Sequence, residues 1–209
     1  GVGQHRYFAH RSFTTSKFWE YVMLITATLA GVSSVFGYIV LHRDHHKNTD
    51  TALDPHSPWH MSAYRNWTLD LTDSNRWDLR LAKDWIKNQA VLNSHKYFFA
   101  IVLAYCFILA LIDPVLLIYA YLAPASLCVW VTASFNTWGH GKGLNWLGYR
   151  NYNTDDRSTN HFLVNLLTLG EGWHNNQHNS PRSWKQGEKW WEWDFNAQLI
   201  KLIRSKEPK

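Results

Sequence analysis

Two cysteines in 209 residues cannot build a disulfide framework or a zinc ribbon. Cys106 and Cys128 both lie in apolar stretches, where a thiol serves as a small hydrophobe. No Gly-rich loop is present to cradle a phosphate, and no HExxH marks a zinc hydrolase. No flavin or haem motif is present, so any electrons must come from outside. Basic residues are dispersed, with no stripe of interleaved aromatics, and this argues against a nucleic-acid partner. The exception is the end of the chain, Lys201, Arg204, Lys206 and Lys209. That stretch suits an anionic, cytoplasmic-type membrane surface and equally a solvated tail. There is no signal-peptide pattern, and the first residue is Gly1 rather than Met, so the chain reads as lacking its natural N-terminal part.

Tryptophan is abundant, with 13 copies, and aromatics make up 16% of the chain. Tryptophan favours places where one side of the ring is apolar and the other wet, as at a membrane interface. The mean hydropathy of −0.33 is not that of a chain buried wholly in lipid. The apolar residues are instead concentrated in two regions. Phe18–Leu41 as a straight helix would be about 36 Å long, enough to cross a ~30 Å hydrocarbon core. Residues 97–135 are apolar except at Asp113-Pro114, a turn-prone pair that divides them into arms at 97–112 and 115–135. The intervening residues 47–95 are polar and Trp-dotted. Within them, Arg76–Asn88 predicts an amphipathic surface helix with Trp77, Leu81, Trp85 and Ile86 on one face. Trp190–Ile203 predicts another amphipathic helix.

Against this background stand twelve histidines, seven of them in three tight groups: HRYFAH (His5, His10), HRDHH (His42, His45, His46) and HNNQH (His174, His178). In a helix, positions i, i+3 and i+4 are neighbours on one face, so HRDHH can aim several imidazoles at one site, and His174 and His178 form a similar pair. His5 and His10 fall ~140° apart on a regular helix, so they either serve different ions or sit where the helix ends. FNTWGH adds Asn136 and His140 at the end of the second apolar arm. Packing alone does not call for three tight histidine groups beside membrane-length segments, so a multi-histidine metal centre is the expectation. His56, His60, His95 and His161 lack a partner at helical spacing and are read as surface or satisfied core residues. If His10 and His42 share one centre, Phe18–Leu41 cannot simply cross. It must dip in and return, or lie along the interface, with Gly31, Ser33, Ser34 and Gly37 as places to bend. Two crossings by the later arms return the chain to the same side. Eight imidazoles are too many for one ion and suit two.

These motifs resemble the membrane fatty acid desaturases. HRYFAHRSF is similar to that family's first histidine box, HRDHHKNTDTALDPHSP to its second and GEGWHNNQH to its third. Gly148–Asn175 resembles the run leading into the third box, and FNTWGH the Asn-x3-His element before it. The resemblance covers most of the chain, as a single domain over residues 1–209. It implies an all-α, four-span membrane protein with a cytosolic helical cap holding two irons. The first pair of spans would lie upstream of Gly1, and the metal site would face the cytoplasm. It further implies His5, His10, His42, His45, His46, His140, His174 and His178 as iron ligands, with no catalytic residue beyond them. Asn136 would hold an iron-bound water. The implied cofactors are two Fe2+ ions with dioxygen as co-substrate. The implied partners are a fatty acyl chain, membrane lipids and an external electron donor, a ferredoxin or a b-type cytochrome.

The expected reaction removes hydrogen from two adjacent methylenes. Such C–H bonds are not acidic, so no side-chain base can take them at neutral pH, and the metals must supply the chemistry. An apolar tunnel would fix which carbons react. A hydroxylase-type oxygenase on the same scaffold is the alternative reading. Asp44, Asp50, Asp54 and Glu171 can orient imidazoles or serve as caps and solvated charges. Two departures stand out. The family's third box reads His-x-x-His-His, and Gln177 stands at the penultimate histidine, a weaker donor that also allows a metal-binding member with impaired activity. Val40-Leu41 replaces the Arg-Asp pair that acyl-CoA enzymes tend to carry before the second box, which favours a lipid- or carrier-linked acyl chain.

Overall fold

A computed structural model describes residues 1–62, 64, 65 and 77–205, with the backbone alone at residue 145. Arg76 of the predicted surface helix, and Lys206 and Lys209 of the basic end, lie outside the described residues. The fold is mostly helical. It opens with a π-helix at Val2–Ala9. Next come α1 (Lys17–Leu29) and α2 (Val35–Asn48). A bent pair follows, α3 (Gln89–Lys96) and α4 (Phe98–Ile112), and then the long α5 (Pro114–Gly139). The short α6 (Phe162–Thr168) and α7 (His174–Asn179) and the closing α8 (Phe195–Ile203) complete the chain. Among the described residues the all-α reading is departed from by one small antiparallel pair of strands, β1 (Gly148–Tyr149) with β2 (Asn160–His161), and by two isolated β-bridges.

Phe18–Leu41 is two helices rather than one. Ser16 caps α1, and Glu20, Met23, Leu24, Ala27 and Thr28 form its buried stripe at helical spacing. The chain then breaks at Gly31, whose φ of +75° suits only glycine without strain. Ser34 restarts it as the cap of α2, accepting from the Gly37 N–H at 3.2 Å. Gly37 therefore lies inside a helix and bends nothing. The core joins this pair to the π-helix, α3, α8 and the Trp85 segment through Phe8, Ile39, Val91 and Ile200, each fully buried. Trp85 packs 5.0 Å from Phe8 and donates its indole N–H to the Phe8 carbonyl at 2.9 Å.

The described part of Arg76–Asn88 is not the surface α-helix predicted. Leu79–Ala82 is a 3-10 turn, with further turns to Lys87, and Ile86 is exposed. Arg43 Nη1 takes the Leu81 carbonyl at 2.6 Å, the acceptor that Trp85 N–H would use in an α-helix, and Trp85 N–H bonds Ala82 instead. The final helix starts at Phe195 rather than Trp190, because the Asp194 carboxylate caps it at Ala197 N–H. Trp190 is left 92% exposed.

Asp113 breaks the later apolar region as its sequence suggests, its extended backbone ending α4 and its carboxylate capping Val115. Among the described residues one helix, α5, is long and apolar enough to cross a membrane. The pair α3–α4 passes the same test only as a span bent by 70°. No residue of α4 is buried, and Phe99, Leu111, Tyr119 and Trp130 are mostly exposed along the two arms.

Candidate metal centre

The four histidine elements converge although up to 173 positions separate their outermost members, His5 and His178. They form two groups, His5–His10–His42–His46 and His45–His140–His174–His178, and within each the ligating atoms lie within 4.8 Å of one another. The π-helix explains the first group. Its i→i+5 bonding, with His10 N–H on the His5 carbonyl at 3.0 Å, stacks residues five apart instead of turning them ~140° away. His10 sits at the end of that helix, and the two rings serve one group. The second surprise is α2, where HRDHH does not aim at a single site. His42 and His46, one turn apart, face the first group, and His45, about 100° round the helix, faces the second.

The nitrogens stand at ligand distances from one another. His10 Nε2 lies 2.8 Å from His42 Nε2 and 3.1 Å from His5 Nε2, and His174 Nε2 lies 2.9 Å from His140 Nε2. Neighbouring nitrogens on an ion with bonds of ~2.1 Å stand about 3 Å apart. Burial, then the neighbouring imidazoles, holds His10, His42, His46, His174 and His178 well below the ordinary imidazole range, so each ring is neutral and carries one lone pair. His178 Nε2 is buried with no hydrogen-bond partner, an orphan that a cation would satisfy. The donor set therefore fits two metal ions.

Carboxylates orient four of the rings from behind. Asp54 holds His45 Nδ1 at 2.9 Å, Asp50 holds His140 Nδ1 at 3.2 Å and Asp156 holds His178 Nδ1 at 2.7 Å, while Glu171 pairs with His5 Nδ1. Each leaves Nε2 as the free donor. Of the acidic residues named from sequence, Asp44 alone does not join them and instead accepts from Asn48. Asp156 was not singled out, and its only sequence signal is its place in the run leading to the third cluster. Nor was Arg6, fully buried, which binds Glu171 at 2.8 Å, Asp194 at 2.9 Å and the Trp184 and Gly170 carbonyls. Burial alone would raise the Glu171 carboxyl, but Arg6 and His5 outweigh it and hold it well below the usual range.

Asparagines on the back of α7 anchor this six-residue helix. Asn175 Oδ1 accepts the Asn151 and Tyr152 N–H groups, and Asn176 bridges Asn151, Asn160, Gln186 and Glu192. Asn136 donates to the His56 carbonyl at 2.6 Å. Gln177 is buried and places its Nε2 2.8 Å from His10 Nε2 and 3.2 Å from His46 Nε2, at the rim of the first group. The unclustered histidines have other partners: His95 with Ser34, His60 with the Asp50 carbonyl and His161 with the Leu144 carbonyl. His56 lies outside both groups, its ring 5.6 Å from that of His45 and tilted by 47°.

A small cavity of about 70 Å3 reaches both groups, touching His42, His45 and His174. It shares Val32, Tyr38, Thr132 and Phe135 with a larger one of about 560 Å3, lined by the start of the chain up to His5, by α1 and α5, and by Leu167, Thr168 and Glu171.

The family model described as fatty acid desaturase matches residues 2–197. The chain belongs to the fatty acid desaturase family. It is 32% identical to an sn-1 stearoyl-lipid 9-desaturase of Anabaena variabilis over 97% of this chain and 74% of that protein. An acyl-CoA C20 Delta5-desaturase of Anemone leveillei is 31% identical over 95% of this chain and 64% of its own length. An sn-1 stearoyl-lipid 9-desaturase of Synechocystis is 32% identical over 97% of this chain and 63% of its own length. This desaturase-family chain thus spans about two thirds of the length of the relatives it matches.

Proposed function

We propose that this chain carries the catalytic centre of an oxygen-dependent fatty acyl desaturase in a membrane, with iron in both histidine groups. The observation that carries the reading is two four-imidazole groups side by side, opening onto one apolar cavity. Iron bound there would supply the oxygen activation needed to break an unactivated C–H bond. His5, His10, His42 and His46 would hold one ion, and His45, His140, His174 and His178 the other. The chain's own contribution is positional. Glu171, Asp54, Asp50 and Asp156 fix the rings, and Tyr38, Thr132 and Phe135 form the walls along which an acyl chain reaches the groups. Burial of the rings keeps water from the reacting carbons. Asn136, which lines the small cavity, would hold a water beside the second group.

The unburied apolar surfaces of α4 and α5 support membrane embedding. In that setting the histidine groups would lie on the cytoplasmic face, and Phe18–Leu41 would be re-entrant through its break at Gly31. Lipid-linked substrates are favoured, in keeping with Val40-Leu41 before the second cluster and with two of the relatives named above. Electrons would come from an external ferredoxin or b-type cytochrome. The test is product analysis after expressing the complete protein in cells with a defined lipid pool. A new double bond supports the reading, and a hydroxylated chain moves it to the oxygenase alternative. Unchanged lipids, despite two irons per chain by elemental analysis, would refute it.

A further inference from the structure

Gln177 distinguishes the two histidine groups. Its side chain is buried to 1% exposure, and its Nε2 reaches the ring nitrogens of His10 and His46. Those are the nitrogens the first group would offer a metal. A ring nitrogen binds a metal through its one lone pair, and an amide N–H directed at that lone pair competes directly with a cation. The Gln177 Oε1 has no hydrogen-bond partner. Turning the amide to present oxygen instead would strand two N–H donors where one oxygen is now stranded, a poorer arrangement. The second group differs, because His178 Nε2 is already free and buried.

We propose that Gln177 makes the two groups unequal, competing through its amide N–H bonds for His10 and His46, so that the His45–His140–His174–His178 group takes its metal first and holds it more tightly. This rests on the two-metal reading above. Loading the first group gives up two hydrogen bonds to neutral acceptors, which weakens that site by about ten- to a hundredfold.

The full chain, purified in detergent and stripped with a chelator, is titrated with Co2+, following visible absorption and heat, with bound cobalt counted by elemental analysis. Two binding steps separated by about ten- to a hundredfold are expected. His140→Ala removes the tight step and His10→Ala the weak one. Gln177→Ala strengthens the weak step by about tenfold and leaves the tight step unchanged, and Gln177→His strengthens it further by adding an imidazole. Where Gln177→Ala does not fold, Gln177→Glu keeps the length without the N–H donors and must also strengthen the weak step. Two cobalt ions bound with equal affinity would overturn the inference, as would loss of the tight step in His10→Ala. So would a weak step weakened by Gln177→Ala, which would make the amide oxygen a ligand instead. Fewer than two cobalt ions per chain would reject the two-metal reading itself, and this inference with it.

Discussion

Arg6→Leu tests how the first histidine group is held. Arg6 is fully buried and makes four hydrogen bonds through one guanidinium, two to carboxylates and two to carbonyls. The side chains of Glu171 and Asp194 are only 8% and 2% exposed. Leucine keeps the apolar stem but leaves both carboxylates buried without their cation. Breaking a buried ion pair from one side costs about 3–5 kcal/mol, a large share of a total stability of roughly 5–15 kcal/mol. The loss of two carbonyl partners falls on the same network, so these costs overlap rather than add. Chemical unfolding of the purified protein should show a loss of about 4 kcal/mol. Arg6→Lys keeps a charge but cannot fork across two carboxylates, and should lose less. Arg6→Leu combined with Glu171→Gln removes one stranded charge and should recover part of the loss. Metal binding at the first group should also weaken on the order of tenfold, because Glu171 no longer holds His5 squarely. A stability change below about 1 kcal/mol in Arg6→Leu would refute the view that this network is a tight, desolvated clamp.

Asp54→Asn should weaken metal binding at the second group by roughly 10–100-fold while leaving the first group unchanged, measured by the same cobalt titration, since Asp54 holds His45 and the N–H of Asp50, which in turn holds His140. Gly172→Ala should cost about 2–3 kcal/mol in thermal or chemical unfolding. Its Cβ would fall 2.2 Å from the Asn165 backbone nitrogen, in a loop that feeds straight into His174. Asp84, at the surface, supplies a pH test. Burial pushes its carboxyl up, but Arg43 and Arg11 outweigh this and hold it below its ordinary value. A lowered carboxylate stabilises the fold above about pH 4 and loses that contribution as pH falls through its folded value. The pair is partly exposed, so stability measured against pH should differ between wild type and Asp84→Asn by no more than about 1 kcal/mol above about pH 4, and the difference should vanish once pH falls below the folded value.

The histidine clusters were legible because their chemistry is local, since i, i+4 spacing aims two rings the same way whatever surrounds them. The division of HRDHH between two groups was not, because it depends on partners that arrive from far along the chain, His5 and His10 on one side and His140, His174 and His178 on the other. The pairing of His5 with His10 was hidden for a different reason. A regular helical period turns them apart, and only the π-helix brings them together. Arg6, Glu171 and Asp194 form a network with separations of 165 and 188 residues, which no local pattern can signal. The segment ending at Trp85 has a sound amphipathic pattern, but its Trp85 N–H bonds the Ala82 carbonyl in a tighter turn and its Leu81 carbonyl faces Arg43, a partner far away in sequence. The break at Asp113-Pro114, by contrast, follows from the conformations those residues favour and is readable directly, whereas Gly31 is one of four bend candidates that only its positive φ separates.

One rigid helix therefore sets the spacing of the two groups. His42, His45 and His46 all ride on α2, and consecutive residues 45 and 46 diverge by about 100°, so each group receives a donor from the same short backbone. Neither group can shift relative to the other without unwinding a turn of α2, whose start is pinned by the Ser34 cap and whose middle is clamped by Arg43. Helical side chains lean toward the N-terminus, so the free space belonging to these rings lies over the preceding turn, at Tyr38 and Leu41. The small cavity opens there, and Tyr38 stacks on His42 with ring centroids 5.1 Å apart and planes at 11°. The same turn of α2 that separates the two groups thus also forms the wall along which an acyl chain would approach them. A bulky substitution there, such as Leu41→Trp, should shorten the acyl chains accepted without altering the two-step cobalt titration, and a parallel loss of metal would argue that cavity and centre are not separable.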